Sequence, residues 1–445
     1  MTGTAERPNR GNQTRAAFGA FIGAVVEWYD FLVYGIVAAI VFNEAFFPGV
    51  SPVAGTLAAF ATFGVGFVFR PLGSVVFGHF GDKVGRTRTL VWTVSIMGAA
   101  TALIGVLPTY DGIGWLAPLL LVLLRALQGI AVGGEWSGAA LMSVEHAPRK
   151  LRAFYSSGVQ VGYSVALIVA TGLVGLLQAV LSATAFQTWG WRVPFLLSAV
   201  LVAVALWIRA GVPESEEFTE NVAKRTDRGR KLPVLDALRK HPAAFFQIFG
   251  MRLGELLTMY IVTTFALSYA TEQHDFSSGF MLNIGLVVGA IGIATIPLYA
   301  WLSDRFGRKP VFLFGAGAGA VATVPYFLAI ESGSLILLLI TSVILVNVAH
   351  DMIVCVQQPL FTEMFGAEHR YSGAGMGYQV ASAIAGGFTP FIATALVALG
   401  DGGWYWVALY LGLGCAVSGI VALTLRGGHS GEQPTTESEP AVQHA

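Results

Sequence analysis

Charge is what this chain has least of. Of its 445 residues only 12% are Asp, Glu, Lys or Arg, against 55% that are apolar. A soluble domain carries about 25% charged residues, so a water-facing shell around a chain of this length is excluded. The charges present cancel, 26 basic against 26 acidic, which removes nucleic acid or an acidic macromolecule as the expected partner. Cysteine is nearly absent. Cys355 and Cys415 both fall inside apolar runs, so they read as small packing residues, with no disulfide framework and no metal site. Also missing are a phosphate-binding glycine loop, zinc-ligand spacing and a nucleophile elbow. Neither an enzyme activity nor a cofactor is expected, and work done by this chain has to draw on an ion gradient.

What is abundant is apolar sequence: the mean hydropathy is +0.67. A helix crossing a bilayer needs about 20 apolar residues, and runs of that length are expected at 18–42, 53–78, 89–108, 116–146, 154–181 and 193–211. After a polar stretch at 212–242 they resume at 243–271, 280–302, 310–330, 334–361, 373–398 and 404–426. The first run is too long, and with Glu27 and Asp30 too charged, for a cleaved signal. The runs also lack the turn punctuation of strands. The expected fold is therefore an all-α membrane protein with twelve transmembrane helices in two pseudo-symmetric six-helix bundles, 18–211 and 243–426. A tail at 1–17, the loop 212–242 and a disordered tail at 427–445 complete it. Lys and Arg crowd alternate loops, including Lys83, Arg149, Lys150, Lys224, Arg239 and Lys309, while the opposite loops carry Glu44, Asp111, Asp275 and Asp401. The positive-inside rule then puts both termini and the central loop in the cytoplasm of a multi-pass inner (plasma) membrane protein.

The two halves repeat each other. Gly78-His-Phe-Gly-Asp82-Lys-Val-Gly85-Arg86-Thr-Arg88 is echoed by Ala300-Trp-Leu-Ser-Asp304-Arg-Phe-Gly307-Arg308-Lys309, and Asp82 to Asp304 is 222 positions, close to half the chain. Ser157-Gly158-x-x-x-Gly162-Tyr163 is echoed by Ser372-Gly373-x-x-x-Gly377-Tyr378. Repeated six-helix halves around a cavity form a transporter architecture. These motifs, with Pro213-Glu214-Ser215 after the sixth run, resemble the major facilitator superfamily. Glu27-Trp28-Tyr29-Asp30-Phe31 and Arg125-Ala-Leu-Gln128-Gly129-x-x-x-Gly133-Gly134-Glu135 resemble its metabolite:proton symporter family. Phe60 to Asp82, Ala153 to Tyr163, Glu255 to Ala266 and Ala349 to Pro390 resemble the members that carry shikimate, a cyclic monocarboxylate with three hydroxyls. Glu27 departs from that pattern, which has an aspartate there.

The resemblance implies proton-coupled import of shikimate or a close cyclic hydroxy-carboxylate by alternating access, by a chain expected to be monomeric in the lipid bilayer. Symport of 2-oxoglutarate, citrate, or proline and betaine stays open, as does a nutrient sensor of the same fold. The tail after Arg426 lacks the heptads of the osmosensing proline/betaine type. The resemblance also makes Gly78, Asp82, Gly85, Arg86 and Arg88, with Asp304, Gly307 and Arg308, a cytoplasmic gate whose charges hold one access state.

A charge at the bilayer centre costs about 2.5–3.5 kcal/mol on insertion scales, so each embedded charge needs a partner or a wet cavity. Glu27, Asp30 and Tyr34 fall within about 60° of one helix. Either acid is a candidate proton carrier, Asp30 first, or a mate for a nearby cation. Arg125, Gln128 and Glu135 lie within about 80° of another helix, and Glu135 is a third candidate for proton coupling. The Arg125 fork suits a substrate carboxylate or pairs with Glu27 or Asp30, and a switch between the two would couple proton to substrate. Arg252 and Glu255 are spaced to pair within their own helix or to face the cavity with Tyr260. Asn347, Asp351 and Gln358 share a face, with His350 and Gln357 beside them; they suit reading hydroxyls or joining helices. Tyr163 and Tyr378 flank the cavity or pack helices. Arg70, before Pro71, belongs to the loop network or to the cavity. The pairs Gly19/Gly23, Gly285/Gly289 and Gly315/Gly319 point to close helix approach.

Overall fold

The computed structural model describes residues 10–84, 86–133, 151–209, 239–365 and 370–425. Among these, every regular element is helical. The long helices are α1 Phe21–Phe46, α2 Pro52–Phe77, α3 Arg86–Val106, α4 Leu116–Gly133, α5 Arg152–Val180 and α6 Arg192–Arg209. They continue as α7 Pro242–Gln273, α8 Ser278–Phe306, α9 Arg308–Glu331, α10 Leu335–Glu363, α11 Gly373–Leu399 and α12 Tyr405–Thr424. Ten are long and apolar enough to cross a membrane; α3 and α6 hold shorter apolar stretches.

Local chemistry sets the ends. The Ser51 hydroxyl accepts from the Ala54 amide ahead of Pro52, and Ser277 and Ser334 cap α8 and α10 in the same way, satisfying amides that a helix start leaves bare. Gly307 separates α8 from α9 at φ +99, a conformation that a side chain would strain. Four of the long helices also contain a π-helical segment: Ala38–Phe42 in α1, Ile261–Phe265 in α7, Ile344–His350 in α10 and Ser382–Gly386 in α11. Each wider turn shifts the helical phase, so the face expected for Asn347 and its neighbours from a regular helix slips within α10.

α1 packs on α5 and α6, and α3 on α4 and α6; α7 packs on α11 and α12, and α9 on α10 and α12. The two groups meet along α5 with α8 and along α2 with α11. Glycine permits the first seam, since a Cβ on Gly285, Gly289 or Gly292 would press on Thr171, Ile168 or Ser164 of α5. Within the first half, a Cβ on Gly129 would strike the Gly66 carbonyl oxygen and one on Gly133 the Arg70 carbonyl oxygen. The Gly129-x-x-x-Gly133 spacing thus brings α4 backbone to backbone with α2 and fixes where Arg70 and Arg125 stand.

Candidate functional site

Asp30 is 1% exposed and looks into the first half. One carboxylate oxygen accepts from Thr101 Oγ1 of α3 at 2.7 Å, the other from Ser198 Oγ of α6 at 2.5 Å. Thr101 in turn accepts from Gln128 Nε2 at 2.5 Å, and Gln128 Oε1 accepts from Arg125 Nη1 at 2.8 Å. Acid and base are thereby joined through a hydroxyl and an amide with no direct ion pair. Arg125 Nη2 donates to the Phe63 carbonyl at 3.3 Å, and the guanidinium lies 3.9 Å over the Tyr34 ring. Tyr34 shares a 2.6 Å hydrogen bond with Thr62. A Cβ on Gly66 would sit 2.7 Å from Arg125 Nη2, so that residue must be small.

Glu27 parts from Asp30. Its Oε1 is 3.9 Å from Arg70 Nη1, so the two acids of α1 serve different cations. Arg70 is 3% exposed and lies between the rings of Phe31 and Phe67, at 3.9 and 4.1 Å. Across the seam Tyr260 of α7 packs on Phe63 and Phe67. Arg70 is thus a buried cation whose ring neighbour Phe67 meets the second half.

In the second half Arg252 and Glu255 form a two-pronged pair, Nε to Oε2 at 3.2 Å and Nη2 to Oε1 at 3.0 Å. Nη1 of Arg252 donates to the Tyr378 carbonyl and the Ser382 hydroxyl, and the guanidinium lies 3.3 Å over the Tyr378 ring. Gln357 Nε2 donates to Glu255 at 2.9 Å. Asp351 accepts from Thr295 of α8 at 2.5 Å and from Asn347 at 3.0 Å, and meets His350 Nδ1 at 2.9 Å. Asn347 also donates to the Val288 carbonyl. Gln358 is buried on the same helix. Tyr163 of α5 sits between Trp28 and His350, at 5.3 Å from each ring, and so touches both halves. The hydroxyls of Tyr163 and Tyr260 and Oδ1 of Asn347 are buried without a hydrogen-bond partner.

At one end of the molecule the halves are latched. Both oxygens of Asp304 accept backbone amides from the start of α5, Ala153 at 3.2 Å and Phe154 at 2.9 Å. Glu363 bridges Arg152 of the first half at 3.3 Å and Arg308 of the second at 2.6 Å. The acid thus meets the positive end of a helix, and the ion pairs cross the seam beside it. Farther along the seam Ser278 donates to Gln178 at 3.0 Å, and Gly35 lets α1 approach Thr264 of α7, where a Cβ would stand 3.1 Å away.

Gly78 falls on the helix Arg70–Val84. Glu135 and Gly85 lie outside the described residues, as do the side chains of Asp82, Arg86 and Arg88. Sequence reasoning missed Thr101, Ser198, Thr295 and Ser382, each a lone hydroxyl in an apolar run. It placed Gln357 only beside its face, although Gln357 is the amide that reaches Glu255.

The Major Facilitator Superfamily model matches residues 20–390 and 287–444. The shikimate transporter of Escherichia coli (strain K12) is 57% identical over 94% of this chain and 97% of its own length. The proline/betaine transporter of the same strain is 32% identical over 97% and 87%. Among solved structures, the xylose transporter XylE from E. coli, in a partially occluded inward-open conformation, superposes with a TM-score of 0.73. The two are 17% identical, and 93% of this chain and 97% of that one are covered. An all-helical membrane fold with a latched seam, a match along most of the chain and this set of relatives agree: the chain belongs to the major facilitator superfamily of transporters.

Proposed function

We propose that this chain imports shikimate, or a close cyclic hydroxy-monocarboxylate, together with a proton, in the inner membrane with both termini in the cytoplasm. The observation that carries the reading is the 57% identity to the E. coli shikimate transporter over 94% of the chain. The site supports it chemically. Arg70, Arg125 and Arg252 are all buried, and Glu255 already occupies the Nε and Nη2 edge of Arg252. That leaves room for one new anionic group better than for two, which favours a monocarboxylate over 2-oxoglutarate. The unpartnered Tyr163, Tyr260 and Asn347 atoms suit hydroxyls, because a buried polar atom left without a partner costs about 1–3 kcal/mol that a ligand can recover.

Asp30 is the proposed proton carrier. Protonated, it loses acceptor capacity toward Thr101 and Ser198, and the change passes through Gln128 to Arg125, so occupancy by a proton alters the cation that lines the site. The Asp304 and Glu363 latch is the proposed cytoplasmic gate: it holds the seam shut and must part before release. The test is uptake of labelled shikimate by proteoliposomes with and without an imposed pH gradient, acid outside. Accumulation that collapses with the gradient, competed by quinate and not by 2-oxoglutarate or proline, is expected. Equal uptake with and without the gradient would exclude proton coupling, and competition by proline alone would exclude the substrate.

A further inference from the structure

We propose that Arg70 is the residue that binds the substrate's carboxylate, through the edge formed by its Nε and Nη2 atoms. This inference rests on the substrate reading above and adds to it the atom pair that recognises the anion.

Three guanidinium groups compete for the role, and their unused hydrogen-bonding capacity separates them. Arg252 is filled: Nε and Nη2 hold Glu255, and Nη1 holds the Tyr378 carbonyl and Ser382. Arg125 has Nη1 on Gln128 and Nη2 on the Phe63 carbonyl, and only Nε lacks a partner. Arg70 keeps two such atoms, Nε and Nη2, both buried and both without a hydrogen-bond partner. Those two are the pair that matters, because Nε–H and one N–H of Nη2 point the same way and match the two oxygens of one carboxylate. The remaining nitrogen, Nη1, is the one turned toward Glu27, at 3.9 Å. That contact is long for a hydrogen bond, so it offsets charge without using the fork.

The surroundings hold the fork in place. Phe31 and Phe67 lie 3.9 and 4.1 Å from the guanidinium carbon and take up its faces, so hydrogen bonding to a ligand falls to its edges. Gly133 backs onto the Arg70 carbonyl, so its backbone cannot drift from α4. Phe67, under the Arg70 guanidinium, packs edge-on against Tyr260 of the second half, which places Arg70 at the seam where an alternating-access substrate must sit. Filling an empty fork at that seam lets one carboxylate tie the first half to the second-half tyrosines around it.

The experiment compares a charged ligand with a neutral one of nearly the same shape. Equilibrium binding of shikimate and of shikimate methyl ester is measured on the purified full-length transporter, wild type and Arg70→Gln. The expected result is a drop in the acid-to-ester affinity ratio of about 10- to 100-fold, the range for a hydrogen-bonded charged group, with ester affinity little changed. An unchanged ratio overturns the assignment, and so does an equal loss for acid and ester, which a purely structural arginine would give. Should Arg70→Gln fail to fold, Arg70→Lys, which keeps the charge without the planar fork, carries the test: a smaller drop in the same ratio is expected, and no drop overturns it. Wild-type protein that binds neither compound would instead defeat the substrate reading.

Discussion

The two halves solve the same electrostatic problem in opposite ways. In the first, Asp30 and Arg125 are linked only through Thr101 and Gln128. In the second, Arg252 grips Glu255 directly, and Gln357 and the Tyr378 carbonyl complete the cluster. A relay of neutral groups can be rewired when one proton arrives. A saturated ion pair cannot, because breaking it strands a buried charge. The first half is therefore read as the half that senses protonation, and the second as the firm wall against which it works.

That contrast is easiest to break at the wall. Glu255→Gln leaves Arg252 buried with no counter-charge, and a loss of about 3–5 kcal/mol is expected. It would be measured as a lower unfolding midpoint in detergent, with most of the loss restored by adding Arg252→Met. A midpoint near wild type would mean that the pair is not the lock described here. At the latch, Asp304→Asn weakens the contact with the start of α5 by about 0.3–2 kcal/mol. Labelling of a cysteine placed near the seam at that end should rise, and a fall or no change would remove Asp304 from the gate. Glu363→Gln should do least, below about 1 kcal/mol, since its side chain is 41% exposed and exposed pairs contribute little. An effect larger than that of Asp304→Asn would reverse the ranking.

Much of this was readable beforehand, for physical reasons. Apolar runs of bilayer length announce helices, the Asp82 and Asp304 loops announce the repeat, and buried charge announces a site, because the cost of keeping it demands a use. Helical spacing also offered the pairing of Arg252 with Glu255 as one of two readings, and that pair is what forms. It could not say that Glu27 and Asp30, side by side on one face, would turn to different cations, since that depends on which helices pack against α1. Nor could it find Thr101 or Ser198: a hydroxyl in an apolar helix more often bonds its own backbone, and only the crossing of α3 and α6 with α1 aims these two at Asp30. The π-helical segment Ile344–His350 likewise leaves no mark in hydrophobic periodicity, so the partners of Asn347 and Asp351 had to be seen.

The central claim is that substrate and proton move together through the relay that begins at Asp30. It is tested most directly by adding shikimate to de-energised proteoliposomes at equal pH and recording the external medium. Wild-type transporter should turn the medium alkaline as protons enter with substrate. Asp30→Asn should give no alkalinisation while still exchanging labelled for unlabelled shikimate. Alkalinisation of wild-type size in that variant would contradict the account.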